Sequence, residues 1–236
     1  MVNLKLCSAL SILESSVDCT VRTIIGDEIR SIKQDLQLSN LLKVLKEYDK
    51  VTYIHCINVA VYAVTIGVKI NLSCNMLRLL AQAGIFHDIG KTLICKEILN
   101  KNTNLTDNEF SLIKNHASYG ANICKSFGLP SVIVSGVYEH HERYDGSGYP
   151  QGIDGEAISV FGRILAVADV YDALVSPRPY HDSFSPSKPI EDLGSNSGYD
   201  KRMVYAFLEA IVPYPSSIKC TVTDRSEESN FKVVIQ

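Results

Sequence analysis

His87-Asp88-Ile89-Gly90-Lys91 and His140-His141-Glu142-Arg143-Tyr144-Asp145-Gly146-Ser147-Gly148-Tyr149-Pro150 decide how this chain of 236 residues is read. The first joins a histidine to a carboxylate and follows them with a glycine and a lysine. The second runs two histidines into a polar, glycine-rich loop. Imidazole and carboxylate are the ligands that hard to borderline divalent metals accept. Adjacent helix residues point about 100° apart. Either dipeptide can therefore aim both side chains at one cavity only near the cavity wall or at a helix end, and both sit where helices are expected to end.

Working outward, Asn71-Leu72-Ser73 interrupts a long apolar helix over about 51–70, and Ser73 can cap the next helix, which runs to about Asp88. Thr106-Asp107-Asn108-Glu109 fits a capping box and predicts a helix carrying His116. Gly128-Leu129-Pro130 closes that helix and opens another that ends close to His141. Four glycines (146, 148, 152 and 155) and Pro150 make 142–157 a loop. Helix returns over 158–175 and 199–211. Residues 4–36 read as one or two helices of mixed charge, and 40–48 as a short amphipathic segment. Beyond Pro213-Tyr214-Pro215, β-branched runs over 218–223 and 231–235 predict a small hairpin. It should lie against the helical body, because a lone hairpin is marginal. The expected architecture is all-α with that C-terminal β-hairpin appendage. Its parts are a helical segment of unknown role over 1–38, a main domain over 39–213 and a tail over 214–236.

Composition narrows the function classes. At 46% hydrophobic and 21% charged residues, the chain resembles an ordinary soluble domain with a sizeable core. A net charge of −3 supplies no polycation to grip a nucleic acid polymer, so any nucleotide must be met by local positive charge or metal. Seven cysteines without a C-x-x-C pair argue against a disulfide framework or structural zinc, and point to reduced thiols in a cytoplasmic protein. The N-terminus lacks the basic-then-apolar layout of a signal peptide. The apolar run Cys56 to Val68 is shorter than the ~20 residues a bilayer requires, so it is read as a buried helix and not a membrane span.

Taken singly, the remaining candidates have plain explanations. His55 shares a helical face with Val51, Val59, Tyr62 and Ile66, and a lone histidine there is more often a hydrogen-bonded core residue than a ligand. The same holds for His116. Asp169 lies in the apolar run Leu165-Ala166-Val167-Ala168-Asp169-Val170, where a carboxylate needs a cation, a metal or donors. A helix–helix salt bridge would satisfy it too.

The combination is more specific. A His-Asp pair, a downstream histidine, a His-His pair opening into the long Gly-Tyr-Pro loop, and then an aspartate in an apolar helix resemble, in that order, the HD-GYP family. This is a bacterial branch of the metal-dependent HD phosphohydrolases, whose members hydrolyse cyclic dinucleotides, chiefly cyclic di-GMP. Gly152-Ile153-Asp154-Gly155-Glu156-x-Ile158, Arg163 to Asp169, and Arg178-Pro179-Tyr180 support the likeness, which covers roughly residues 40–213. It implies an HD-type helical bundle with a shallow, open site. By this resemblance His55, His87, Asp88 and Asp169 hold one metal, and Asp88, His116, His140 and His141 hold a second, with Asp88 bridging. Mixed nitrogen and oxygen ligation suits iron or manganese. Two such ions about 3.5–4 Å apart clamp a phosphodiester and activate water at neutral pH.

Some family members carry a glutamate four residues before the first histidine and use it for a third metal. That position here is Val51, with Glu47 and Asp49 out of register, so two metals are expected. This variant of the family generally cleaves cyclic di-GMP to the linear dinucleotide pGpG, with weak or absent further cleavage. Among the other residues, the family pattern gives Asp88 and Lys91 catalytic roles, with the Lys91 ammonium reaching a nonbridging phosphate oxygen. Lys91, Arg143, Asp145, Tyr149, Arg178 and His181 are the substrate-binding candidates. Arg143 and Asp145 are expected either to pair and fix the loop or to contact substrate. Tyr149 offers a ring for a guanine or a hydroxyl for a phosphate. Arg178 offers a planar fork of donors. His181 stands where a lysine or arginine is common, which leaves room for a mixed cyclic GMP-AMP as substrate. Asp172 is read as a supporting carboxylate. The alternatives to a cyclic di-GMP phosphodiesterase are thus hydrolysis of 3′3′-cyclic GMP-AMP and a non-catalytic nucleotide- or protein-binding module. Protein partners would meet the Gly-Tyr-Pro loop, and a homodimer is a further expectation for the N-terminal segment.

Overall fold

Asp49 begins the central helix of this fold. Its carboxylate accepts hydrogen bonds from the backbone N–H groups of Val51 and Thr52 and from the Thr52 hydroxyl. These satisfy donors that a helix start leaves unpaired. The helix it opens, Lys50–Lys69, is long and apolar enough to cross a membrane, yet 14 of its residues, from Thr52 to Gly67, are buried inside the protein. Its apolar side chains run all round because neighbours cover it on several sides.

The computed structural model describes residues 15–101, 103–175 and 193–211. In chain order the helices are α1 (Ser15–Gln34), α2 (Leu36–Tyr48), α3 (Lys50–Lys69), α4 (Cys74–Phe86), α5 (Lys96–Leu99), α6 (Asp107–Ser126), α7 (Ser131–Glu139), α8 (Val160–Val175) and α9 (Lys201–Leu208). A short 3₁₀ turn, Ile89–Leu93, follows α4. The described residues are mostly helical, as expected. The predicted C-terminal hairpin over 214–236 and the candidates Arg178 and His181 lie outside the described residues.

The local signals fall where the sequence puts them. Ser73 caps α4 through the Met76 N–H. Thr106 and Glu109 form a reciprocal capping box on α6. Around α3 pack α1, α4 and α8, while α7 bridges α4, α6 and α8. One core runs through these helices, with Tyr62, Tyr171 and Phe207 meeting edge to face between α3, α8 and α9. Helix α1, expected as a segment of unknown role, gives Val21, Ile24, Ile25, Ile29 and Ile32 to that same core. At the 3₁₀ turn the backbone of Gly90 comes so near α6 that a Cβ there would stand 2.0 Å from the His116 carbonyl oxygen.

Candidate metal centre

Two helices end where they deliver ligands. His87 is the C-cap of α4 and His140 the C-cap of α7. Past each cap the chain turns, and the next residue, Asp88 or His141, faces the same cavity as the one before it. This is the helix-end geometry the two dipeptides call for. His55 comes from α3, His116 from α6 and Asp169 from α8, so five segments meet at one place.

The side chains fall into two groups whose nitrogen and oxygen atoms lie within 4.8 Å of one another: His55, His87 and Asp169, and His116, His140 and His141. Asp88 stands between them. Its Oδ2 is 3.4 Å from His87 Nε2 and 3.7 Å from His55 Nε2, and its Oδ1 is 3.4 Å from His116 Nε2 and 4.0 Å from His140 Nε2. Asp169 joins both sides, with Oδ1 3.0 Å from His55 Nε2 and Oδ2 3.8 Å from His141 Nδ1.

Partners outside the cluster orient these rings. The Nδ1–H groups of His87, His116 and His140 each donate to the carbonyl three residues earlier, on Gly84, Ile113 and Val137, at 2.8, 2.6 and 2.6 Å. That bond assigns the proton to Nδ1 and turns the Nε2 lone pair into the cavity. His55 uses Nδ1 on Asp172 Oδ2 at 2.6 Å. Asp172 is therefore a carboxylate that orients His55 rather than a member of the cluster. His141 has no such carbonyl bond and instead stacks on Tyr149, with ring centroids 4.7 Å apart.

The electrostatics fit a cation. Burial opposes ionisation of Asp88, but Lys91 and His87 outweigh it and hold the carboxyl well below the usual range. Burial likewise opposes Asp169, and the His55 bond overrides it. Two buried negative charges must be balanced. Lys91, 2.5 Å from Asp88 Oδ2, supplies one positive charge beside them. Despite burial, Asp169 and Asp172 raise His55 to about 9, and Asp88 raises His87 well above its ordinary value. Burial lowers His116, lowers His140 well below its ordinary value and takes His141 to about 3. Their Nε2 atoms nevertheless converge, at 3.3 Å for His116–His140 and 3.1 Å for His116–His141. Buried His87 Nε2 and Asp88 Oδ1 have no hydrogen-bond partner. Converging lone pairs and orphaned acceptors, all nitrogen or carboxylate oxygen, are the donor set a divalent metal takes.

The loop over the site is fastened by residues to which sequence reading gave no part. Glu142, 1% exposed, accepts from the N–H groups of Gln151 and Gly152. Glu139 accepts from Ser159 N–H. A buried carboxylate that organises a loop has no signature in a sequence until the loop's path is known. Arg143 and Asp145, one expectation for which was mutual pairing, have separate partners. Arg143 lies over the Tyr199 ring, 5.1 Å from its centroid, and Asp145 accepts from Ser147 and Ser197. Tyr149, expected as a platform for guanine, has its ring stacked on a histidine of the cluster. Cys56, buried beside His55, reaches His87 and Asp88 closely enough to be counted with them as a ligand group. Nothing in the sequence pattern had marked it.

Known proteins place this arrangement. A sequence profile of the HD domain family matches residues 24–203. The cyclic di-GMP phosphodiesterase PA4108 of Pseudomonas aeruginosa is 37% identical over 175 residues, which is 72% of this chain and 42% of that protein. The 3′3′-cGAMP-specific phosphodiesterase 1 of Vibrio cholerae is 35% identical over 159 residues, 67% of this chain and 36% of that protein. The chain thus spans less than half the length of either relative. Among solved structures, the HDG"Y"P protein Bd1817 of Bdellovibrio bacteriovorus superposes with a TM-score of 0.56 at 12% identity, covering 81% of this chain and 70% of that one, a likeness of fold. With the His-Asp turn, the His-His cap and the Gly-Tyr-Pro loop around one cavity, the chain resembles the HD-GYP branch, and it belongs to the HD domain family.

Proposed function

We propose that this chain hydrolyses cyclic di-GMP to linear pGpG with two divalent metal ions, iron or manganese. The carrying observation is the division of Asp88, one oxygen turned to His55 and His87 and the other to His116 and His140. His55, His87, Asp88 and Asp169 would hold one ion, and Asp88, His116, His140 and His141 the other. When bound, such a pair clamps the phosphodiester oxygens and lowers the pKa of the attacking water.

The chain's own residues supply the rest. Lys91 fixes the Asp88 carboxylate and keeps its ammonium partly exposed, where it would stabilise charge growing on a nonbridging phosphate oxygen. Water oxygen bonds phosphorus in line, the P–O3′ bond breaks, and the 3′ oxygen takes a proton from water. Asp172, holding His55, keeps that ring turned to the cluster. A third ion is not part of this reading, because the residue one turn before His55 is the exposed Val51. The catalytic unit is assigned to 39–213.

The test is chromatography of cyclic di-GMP after incubation with metal-loaded protein. Linear dinucleotide from wild type, and none from His87→Ala, is expected. Identical traces from the two proteins would discard the reading. Hydrolysis of 3′3′-cyclic GMP-AMP is the second reading. It is favoured by the Vibrio cholerae relatives named for that substrate, and competition between the two dinucleotides separates them.

A further inference from the structure

Next to the cluster, Tyr149 carries more than the His141 stack. Lys114 on α6 places its ammonium 5.8 Å from the Tyr149 ring centroid and 5.1 Å from that of Phe110, one helical turn earlier. Phe110 is 49% exposed. A ring chain therefore leads from a member of the metal cluster to solvent: His141, Tyr149, the Lys114 ammonium, Phe110. Among the described residues, no carboxylate lies within ion-pairing distance of Lys114. Glu109, the nearest acid before it on α6, is bound to Lys101. Aromatic faces hold a cation in place without neutralising it as a carboxylate would, so this ammonium keeps its pull on an anion.

A cyclic dinucleotide has two phosphodiesters and two bases in one ring. Only one phosphodiester can lie at the cluster, and its twin must lie elsewhere in the cleft. We propose that Lys114 and Phe110 form an outer subsite, with Lys114 binding the phosphodiester that is not cleaved and Phe110 stacking a purine. This rests on the cyclic dinucleotide reading above and adds to it where the second half of the substrate goes. Both are binding residues, and neither touches the reacting atoms.

The experiment is steady-state hydrolysis of cyclic di-GMP by the metal-loaded full chain, comparing wild type with Lys114→Gln, Lys114→Arg and Phe110→Ala. Metal content and circular dichroism are measured on each protein. Lys114→Gln keeps the methylene stem and removes the charge. It should raise KM about tenfold, as for one lost charge-assisted contact, with kcat within about twofold and metal content unchanged. Lys114→Arg should recover most of the loss, and raising salt should narrow the gap between wild type and Lys114→Gln. Phe110→Ala should raise KM several-fold, on the scale of a lost base stack. An unchanged KM in Lys114→Gln, or a fall in kcat with KM constant, overturns the subsite. Wild type that cleaves bis(p-nitrophenyl) phosphate but no cyclic di-GMP instead removes the substrate reading. The same proteins are then run on 3′3′-cyclic GMP-AMP, which has the same second phosphodiester, and equal KM values or no turnover there overturn the subsite as well.

Discussion

The floor of the cavity and the loop over it are built on different principles. The floor is made of side chains from five helical segments, and the rings of His55, His87, His116 and His140 are each held by a carbonyl or carboxylate behind them. The loop over 142–157 has little core of its own. It is held by Glu142, by Tyr144 N–H on the Gly198 carbonyl, by Tyr149 N–H on the His141 carbonyl, and by Asp145 on Ser197. Packing makes the floor a fixed template, whereas hydrogen bonds make the loop a fitted cover. Damage to the floor should therefore appear as lost metal and lost turnover, and damage to the loop as weaker substrate binding.

The sharpest way to break this contrast is Asp88→Ala, which removes the buried carboxylate standing between the two histidine groups. We expect bound metal to fall in both groups, and turnover to drop by more than the roughly 100-fold that losing an outer partner costs. Metal analysis beside the activity assay checks it. Asp172→Ala is next. It leaves every cluster residue in place but frees the His55 ring, and should weaken metal affinity about 10–100-fold in a competition titration against a chelator. A variant that binds metal as tightly as wild type would mean that the floor does not depend on its outer bonds.

In the loop, Glu142→Gln turns an amide N–H₂ towards backbone donors that a carboxylate accepted. Local stability should fall by about 1–3 kcal/mol, read as faster hydrogen exchange at Gln151 and Gly152, with KM rising and metal content intact. Loss of metal in this variant would erase the distinction between floor and cover. The smallest effect concerns the loop's far support, where Asp200 caps α9 and pairs with Arg163 at 3.0 Å. Burial opposes its ionisation, but the bonds from Arg202 and Arg163 prevail and depress its pKa. A depressed carboxyl stabilises the fold above its ordinary pKa, and that contribution fades as pH falls through the lower, folded value. Asp200→Asn should thus cost about 1–2 kcal/mol in urea unfolding at pH 7, with the gap to wild type closing on acidification below the ordinary carboxylate range. A gap independent of pH would assign the loss to packing.

The same division explains what could be read in advance. Helix starts and stops were legible because they are local: Ser73, the Thr106–Glu109 box and Gly128-Leu129-Pro130 each act within a few residues. The cluster was legible because its members are rare residue types in a recognisable order. The supports were not. Asp172 meets His55 across 117 positions, and Arg143 meets Tyr199 across a gap that no spacing rule connects. Glu142 directly follows the His-His pair. Its burial follows from the path of the loop, so the sequence alone could not separate a fastening carboxylate from a solvated one. Lys114 and Phe110 belong to no motif, and only the placement of Tyr149 beside Lys114 marks them.

Gly90 has a consequence for descent. Its backbone lies against that of His116, leaving no room for even a methyl group. A lineage drifting toward a new ligand could swap the exposed rim residues and retune the subsite by single steps. Position 90 offers no such path, because every single replacement pushes the turn carrying His87 and Asp88 away from the helix carrying His116. In a saturation library selected for bound metal, the least forgiving position outside the ligands themselves should be one that contributes no side chain at all.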